Sequence, residues 1–516
     1  MTTTPTSTAT STQVSTRRAW AAVAVLSASL LVITMDMTIL NIALPDMAAE
    51  LRPTANQQLW IVDVYSLVLA GLLVPWAAVA DRWGRRRMLL LGYAIFLVSS
   101  LLVLVADTAE AVIVLRALLG IGGAMIMPNT LSLIRVIFTD AAQRATALSI
   151  WAAVSGLGAA VGPLVGGFLL EHFSWHAAFL VNVPLMVAAI IAGLIVLPES
   201  RVEGAGRWDV TAAVLALVGM VAFVWSVKSF AKEASFTHPP ALLALAIGVG
   251  ALTVFVRRCL RSDSPLLDVG LFRSRPFSAG IIAALGTTFA MLAAMLLLTQ
   301  WLQLVEGASP IESGIKLIPV ALAGAVASLA APPLARVVGA RTVLASGLGL
   351  AGIGLLAVGL GPDEVTYPLV LTAMLLVGAG TGSLAIASAM VMMGSPEDKA
   401  GNAGALEETS YELGGTLGVA VLGSVSALVY RTHLQSSAAL EQAGPQAARA
   451  AEDSLGAAVA TADELGLPAL ATDASAAFVD SLQVAGIAGG TLMLVVAAVV
   501  FVLTPRGTDI SGATHG

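Results

Sequence analysis

Long apolar runs separated by short polar bursts set the pattern of this chain. A membrane-crossing helix needs about 20 apolar residues. Fourteen segments reach or approach that length: Ala19–Leu44, Leu59–Ala80, Met88–Val105, Val112–Ile134, Ala145–Leu170, Ala177–Leu197, Val210–Val227, Ala241–Val256, Phe277–Val305, Gly314–Val338, Val343–Leu360, Leu369–Met393, Ala403–Tyr430 and Val484–Leu503. Short connections join spans 1–6 and spans 9–14, whereas charged linkers at Pro198–Asp209 and Cys259–Pro276 bracket spans 7 and 8. The pattern predicts an all-α integral membrane protein. A six-helix bundle occupies residues 19–197, a linker with an inserted helix pair 198–276, and a second six-helix bundle 277–503. Residues 1–18 are Ser/Thr-rich and expected to be disordered; residues 504–516 form a tail. The run after Arg17-Arg18 exceeds the roughly 7–15 residues of a signal-peptide core, so span 1 is expected to be retained. One connection departs from the rest. Thr432–Val479 is rich in Ala with spaced acids, and predicts two helical pieces broken at Gly466-Leu467-Pro468.

Composition removes the soluble alternatives. The chain is 58% hydrophobic and 11% charged, with mean hydropathy +0.90, against roughly 25% charged in soluble domains. The net charge is −6 and no segment forms a basic domain, so no nucleic-acid partner is expected. Cys259 is the sole cysteine and the five histidines are scattered, which leaves no metal site and no internal disulfide. A membrane enzyme or sensor would need a catalytic constellation or soluble domain, and none is found; no Walker loop is present for ATP.

Sidedness follows from the arginines. With the N-terminus inside, the inner face collects Arg17, Arg18, Arg82, Arg85–Arg87, Arg135, Arg144, Arg201, Arg207, Arg257, Arg258, Arg261, Arg273, Arg275, Arg336, Arg341, Lys399 and Arg506. Those are 19 of the 26 basic residues; six fall outside and Arg116 lies within span 4. Both termini are therefore expected to be cytoplasmic.

Three motifs stand out. "VADRWGRRRMLLLG" follows span 2, with Gly84 for a tight reversal and Arg82, Arg85 and Arg86 for the anionic leaflet. Asp81 sits at the unfavourable end of the helix dipole and needs a partner such as Arg85. An ordinary positive-inside loop would look similar, but "LARVVGARTVL" after span 10 repeats the spacing, with Gly339 and Arg341 at the places of Gly84 and Arg86. Span 5 carries "SGLGAAVGPLVGGFL", with Gly156, Gly158, Gly162, Pro163, Gly166 and Gly167. Small residues at that spacing let helices approach closely, either for packing alone or for gating. Span 13 repeats part of it, and its Ala403, Ala405, Leu406 and Gly414 align with Ala145, Ala147, Leu148 and Gly156. Such duplication is how transporters are commonly built.

On these motifs the chain resembles, over almost its whole length, the fourteen-helix drug:proton antiporters of the major facilitator superfamily, of the quaternary ammonium and multidrug exporter type (QacA, SmvA and LfrA). "MDMTILNIALP" is similar to the family's span-1 signature, "LWIVDVYSLVLAG" to its span 2, "ADRWGRRR" to the first inner loop, "LRALLGIGGAMIMP" to the span-4 arginine motif and "GAAVGPLVGG" to the antiporter motif. Ala77, Val79 and Ser149 depart from it, and span 10 carries Lys316 and Arg336 but no acid. The resemblance implies a major facilitator fold in the cell (inner) membrane. It also implies a conformational gate at Asp81, Arg82, Gly84, Arg85, Arg86, Gly158, Gly162, Pro163, Gly166 and Gly167.

The remaining question is why acids lie inside apolar spans, where a central carboxylate costs roughly 2.5–3.5 kcal/mol on insertion scales. Asp36 lies about eight residues below the far end of span 1, roughly 12 Å at 1.5 Å per residue; Asp63 and Arg116 lie at a similar depth in spans 2 and 4. They form either a structural ion network or a coupling site. Burial favours the protonated acid and arginine the ionised one, so a proton and a lipophilic cation can compete for one carboxylate. Exchange of one proton for one monovalent cation moves no net charge and gains nothing from the membrane potential; two titrating acids, Asp36 and Asp63, would admit two protons. Glu407, Glu408 and Glu412 form a second set in span 13, and Glu408 and Glu412, at i,i+4, share a face. Trp60, Tyr65 and Tyr411 are candidates for cation–π contact in the cavity, or for packing and an interfacial belt. The function expected is proton-coupled export of lipophilic, cationic drugs by a monomer, with membrane lipids and protons as partners and the proton gradient in place of a cofactor. The alternative is a dedicated exporter of one endogenous antibiotic or lipid-like metabolite.

Overall fold

The computed structural model describes residues 15–507, apart from 52, 54, 202–208, 234–237, 263–264, 363 and 397–398. The expectations for residues 1–14, Arg207 and the last residues of the tail lie outside the described residues. Among the described residues nineteen α-helices follow one another and no strand occurs. They are α1 Thr16–Leu51, α2 Ala55–Trp83, α3 Arg85–Leu102, α4 Ala109–Ile137, α5 Ala141–His172, α6 Ala177–Leu180, α7 Asn182–Val196, α8 Val210–Glu233, α9 Pro239–Arg261 and α10 Arg275–Gln300. Then come α11 Pro310–Val338, α12 Ala340–Gly359, α13 Tyr367–Gly380, α14 Ser383–Met393, α15 Ala400–Leu434, α16 Ala438–Gln442, α17 Pro445–Asp453, α18 Leu455–Leu465 and α19 Pro468–Leu503. Thirteen stretches among the described residues are long and apolar enough to cross a membrane. With the 32-residue α5, these occupy the fourteen predicted spans. Span 6 is built from α6 and α7, span 12 from α13 and α14.

The packing repeats itself. In the first bundle α1 lies against α5 and α7, α2 against α4, and α3 against α4 and α7. In the second, α10 lies against α15 and α19, α11 against α13, and α12 against α13 and α19. The two sets correspond span for span: two six-helix bundles, in which α5 faces α11 and α2 faces α15 across the junction. The inserted pair stays apart. Helix α9 packs mainly on α8, and α8 packs on α2 and on α15. Asp209 caps α8 through the Ala212 N–H (3.0 Å) and pairs with Arg258 of α9 at 2.6 Å. That guanidinium holds the Asp209 carboxyl below the usual carboxylate range.

The duplicated loop has a backbone cause. Gly84 takes φ +121° between α2 and α3, and Gly339 takes φ +87° between α11 and α12, values that favour glycine. Arg86, in the first loop, donates to the Leu194 carbonyl at 2.6 Å, and its counterpart Arg341 stacks on Phe501, 3.7 Å from the ring centroid.

The connection at 432–479 differs from expectation. Three short helices, α16–α18, precede the break, because Gly444 (φ +80°) with Pro445 and Ser454 each restart the chain. Gly466 (φ +65°) then ends α18 and Pro468 opens α19, which runs unbroken into span 14. The second piece is thus an extension of the last span, not a separate helix.

Candidate functional site

Both bundles contribute equivalent helices to one central cavity. Its wall comes from α1, α4 and α5 on one side and α10, α14, α15 and the α13–α14 turn on the other. The volume is about 210 Å³, and the wall is mostly apolar, with Met37, Trp151 and Leu384 among it. Three acids lie on or beside this cavity, in different circumstances. Glu408 and Glu412 line it with Tyr411 between them in sequence, as expected of i,i+4 residues. Glu407 is turned off the wall by roughly 100° from Glu408. It accepts hydrogen bonds from Ser388 of α14 and from the Tyr411 hydroxyl. The Tyr411 ring in turn lies tilted by 31° beside Trp151 of α5, centroids 6.3 Å apart. Glu408 has no such company: both of its carboxylate oxygens are buried and neither has a hydrogen-bond partner among the described residues.

Asp36 and Arg116 form a closed unit in the first bundle. Arg116 donates to Asp36 at 2.7 Å, and its Nε to the Ile61 carbonyl at 3.3 Å. The Asn182 amide donates to the other Asp36 oxygen at 2.8 Å. Tyr65 covers the guanidinium, 4.4 Å from the ring centroid. All four side chains are buried. The pair thereby ties α1, α4, α2 and α7 together, and neither Asp36 nor Arg116 lines the cavity. Removing one partner of such a pair costs about 3–5 kcal/mol, since the other is left buried and unpaired.

Several expectations require correction here. Asp63 does not join Asp36 and Arg116. Ile61 and Tyr65 face Arg116, and two residues of helix turn through roughly 200°, so Asp63 points to the opposite side of α2. There it meets Lys228 of α8 at 2.6 Å. Lys228 also donates to Ser66 at 3.2 Å and lies within the seventh span, not on the outer face. Trp60 is 37% exposed at the far end of α2, and Tyr65 is engaged by Arg116, so neither lines the cavity. Three participants went unread in the sequence: Lys228, Asn182 and Ser388. The first two had a signal, a lone lysine in "FVWSVKSF" and a lone asparagine in "FLVNVPLM"; serine in a helix carries none.

The expected gating residues divide by role. Arg85 closes on Asp81 at 2.8 Å and its backbone N–H bonds the Ser200 carbonyl at 2.8 Å. Arg82 donates to the Ala78 carbonyl at 2.7 Å. Gly84 leaves room for Glu199, whose Oε1 would lie 2.6 Å from any added Cβ. On this arginine-rich face the bundles meet. Arg135 of α4 donates to the Ser395 carbonyl (2.6 Å), Ser132 to that of Ala400 (3.3 Å), and Gly401 packs against the Asp81 carboxylate. In α5, a Cβ at Gly158 would strike Thr34 and the Leu31 carbonyl, and one at Gly162 would strike Thr38 and the Met35 carbonyl. In α15, Gly414 meets Thr288 and the Leu285 carbonyl, and Gly418 the Phe289 carbonyl. The structural counterpart of Gly414 is therefore Gly158; the register read from sequence was two residues off, and Gly156 instead lines the cavity. Gly166 is buried and Gly167 half-buried in α5; the Pro163 side chain lies outside the described residues. No group of metal-ligating side chains occurs among the described residues.

Comparison with known proteins agrees with this architecture. Residues 26–419 match the model of the Major Facilitator Superfamily. The multidrug efflux pump LfrA of Mycolicibacterium smegmatis is 41% identical over 495 residues, 95% of this chain and 97% of that protein. The methyl viologen resistance protein SmvA of Salmonella typhimurium is 34% identical over 494 residues, 93% of this chain and 97% of that protein. Among solved structures, the human organic anion transporter shares the fold with a TM-score of 0.58 at 14% identity, covering 92% of this chain and 99% of that one.

Proposed function

The chain belongs to the Major Facilitator Superfamily, in its family of drug:proton antiporters, and from that membership we propose that it exports lipophilic cations in exchange for protons. The substrates are quaternary ammonium compounds, cationic dyes and antibiotics. The observation that carries the reading is Glu408, a buried acid without partners on the wall of an otherwise apolar cavity. An unpaired charge there is costly, so the carboxylate is occupied by a proton or by a cation but not by both. Mutual exclusion of that kind is antiport. Tyr411 and Trp151 supply aromatic faces beside it for the organic part of the cation.

Asp36 serves coupling, whereas Asp63 stands apart from it, paired with Lys228. Protonation of Asp36 removes its charge from Arg116, and with it the ion pair between α1 and α4, so that a proton loosens the first bundle. With the arginine-rich face taken as cytoplasmic, the contacts Arg135–Ser395 and Ser132–Ala400 close the cytoplasmic side. The protein works as a monomer in the cell (inner) membrane with both termini in the cytoplasm.

The test is ethidium efflux from proteoliposomes under an imposed pH gradient. Wild-type protein should extrude dye only while the gradient stands. Glu408→Gln should lose at least tenfold in rate at subsaturating dye. Gradient-independent efflux, or full activity in Glu408→Gln, would refute the proposal.

A further inference from the structure

The inserted helix pair has so far no part in transport. Fourteen spans exceed the twelve that build two bundles, and α9 does little but cover α8. Yet α8 is held close: a Cβ at Gly71 of α2 would come within 2.7 Å of Leu217 and 2.9 Å of Val221. Leu67 and Ala70 of α2 share a buried cluster with Met220 and Val224 of α8, with Leu413 of α15 packed against it. Above this cluster, one helical turn beyond Val224, lies Lys228. Its ammonium contacts Asp63 at 2.6 Å and Ser66 at 3.2 Å, and next to Leu413 on α15, Glu412 lines the cavity. Helices α2 and α8 thus hold one carboxylate against one ammonium group beside the cavity-lining α15, partly accessible, with the Asp63 and Lys228 side chains 29% and 28% exposed.

We propose that Asp63 forms a cation subsite beside the cavity, and that Lys228 is its tethered resident cation, which the second positive charge of a dicationic substrate must displace. The proposal rests on the reading that Glu408 takes the first charge. A monocation at Glu408 leaves Lys228 in place and never meets the subsite. A bis-cation has to compete with an ammonium held at short range by its own chain. Lys228 therefore sets the preference between singly and doubly charged substrates. It is a specificity-determining residue, supplied by the inserted pair.

Purified full-length protein in lipid nanodiscs, at one pH and ionic strength, tests this with two probes: tetraphenylphosphonium as monocation and dequalinium as dication. Lys228→Met and Lys228→Gln should each tighten dequalinium binding at least tenfold and move tetraphenylphosphonium by less than threefold. Lys228→Arg should keep the wild-type ratio. Asp63→Asn added to Lys228→Met should abolish the gain. Equal shifts for both probes, no shift, or a gain that survives Asp63→Asn would overturn the subsite. Two substitutions of different shape guard against a folding defect in one. The underlying reading fails separately: it does so if Glu408→Gln leaves tetraphenylphosphonium binding unchanged, whatever the Lys228 variants do.

Discussion

Asp36 and Glu408 are both buried acids in apolar helices, and they differ in company. Asp36 accepts from Arg116 and Asn182; Glu408 accepts from nothing. Neutralising each therefore has different consequences. Asp36→Asn should abolish gradient-driven efflux, and by leaving Arg116 buried without its anion it should lower unfolding stability by about 3–5 kcal/mol. Proteoliposome efflux and a thermal melt on the same preparation measure both; normal proton-coupled efflux would remove Asp36 from the mechanism. Glu408→Gln should cost no stability, because it replaces a carboxyl that has no hydrogen bond to lose. An unchanged or raised melting temperature with lost dye binding is expected. Glu407 acts through a neighbour, since it anchors the Tyr411 hydroxyl. Glu407→Gln should change the relative rates of different substrates more than the dependence on the gradient, read by comparing several dyes.

Between elements, the glycines decide how close helices come. Gly158 and Gly162 bring α5 onto α1, and Gly414 and Gly418 bring α15 onto α10, each against a carbonyl of its partner helix. These are the same surfaces that frame the cavity, so a side chain there spreads the wall as well as the packing. Gly158→Val should prevent stable assembly, measured as loss of a monodisperse peak in size-exclusion chromatography. The turn glycines allow a finer comparison. Both require a positive φ, which costs an L-residue about 1–2 kcal/mol, but only Gly84 also has a neighbour in the way, Glu199. Gly339 has open space. Gly84→Ala should therefore lower the melting temperature by more than Gly339→Ala; equal losses would leave the Glu199 contact without weight.

At the scale of the whole molecule, the arginine-rich face is closed between bundles while the opposite face carries the helices α16–α18. These pack on α15, on α19 and on the π-helical turn Trp301–Val305 that ends span 9. Tyr430 donates to the Ala451 carbonyl at 3.0 Å, and His433 bonds Asp480 at 2.8 Å, so α15 and α19 are tied through this segment. Helices α15 and α10 both border the cavity. Replacing residues 436–466 by a short Gly/Ser linker should therefore change the rate of dye efflux while the substrate range stays the same. Unchanged rates would leave the segment with no role in transport.

The sequence by itself determined the spans and their likeness in two halves, because a bilayer acts on each apolar run locally and independently of what the run packs against. It determined the i,i+4 pairing of Glu408 with Glu412 for the same reason: that relation lies within one helix. Partnerships between helices lay beyond it. Asp63 and Asp36 share a depth yet serve different neighbours, since depth is counted along a helix whereas contact depends on its rotation and on what stands opposite. Lys228 was counted with the outer loops because a run of hydropathy fades before a snorkelling or paired lysine, and only the seat of α8 against α2 reveals the pairing. The two-residue register between Gly158 and Gly414 was set by packing, against Thr34 and Thr288, and not by the likeness of letters. Tertiary structure alone decided which acid is paired with arginine, which is tethered to lysine and which lines the cavity, because a carboxylate's state depends on the charges and dipoles that other helices bring to it.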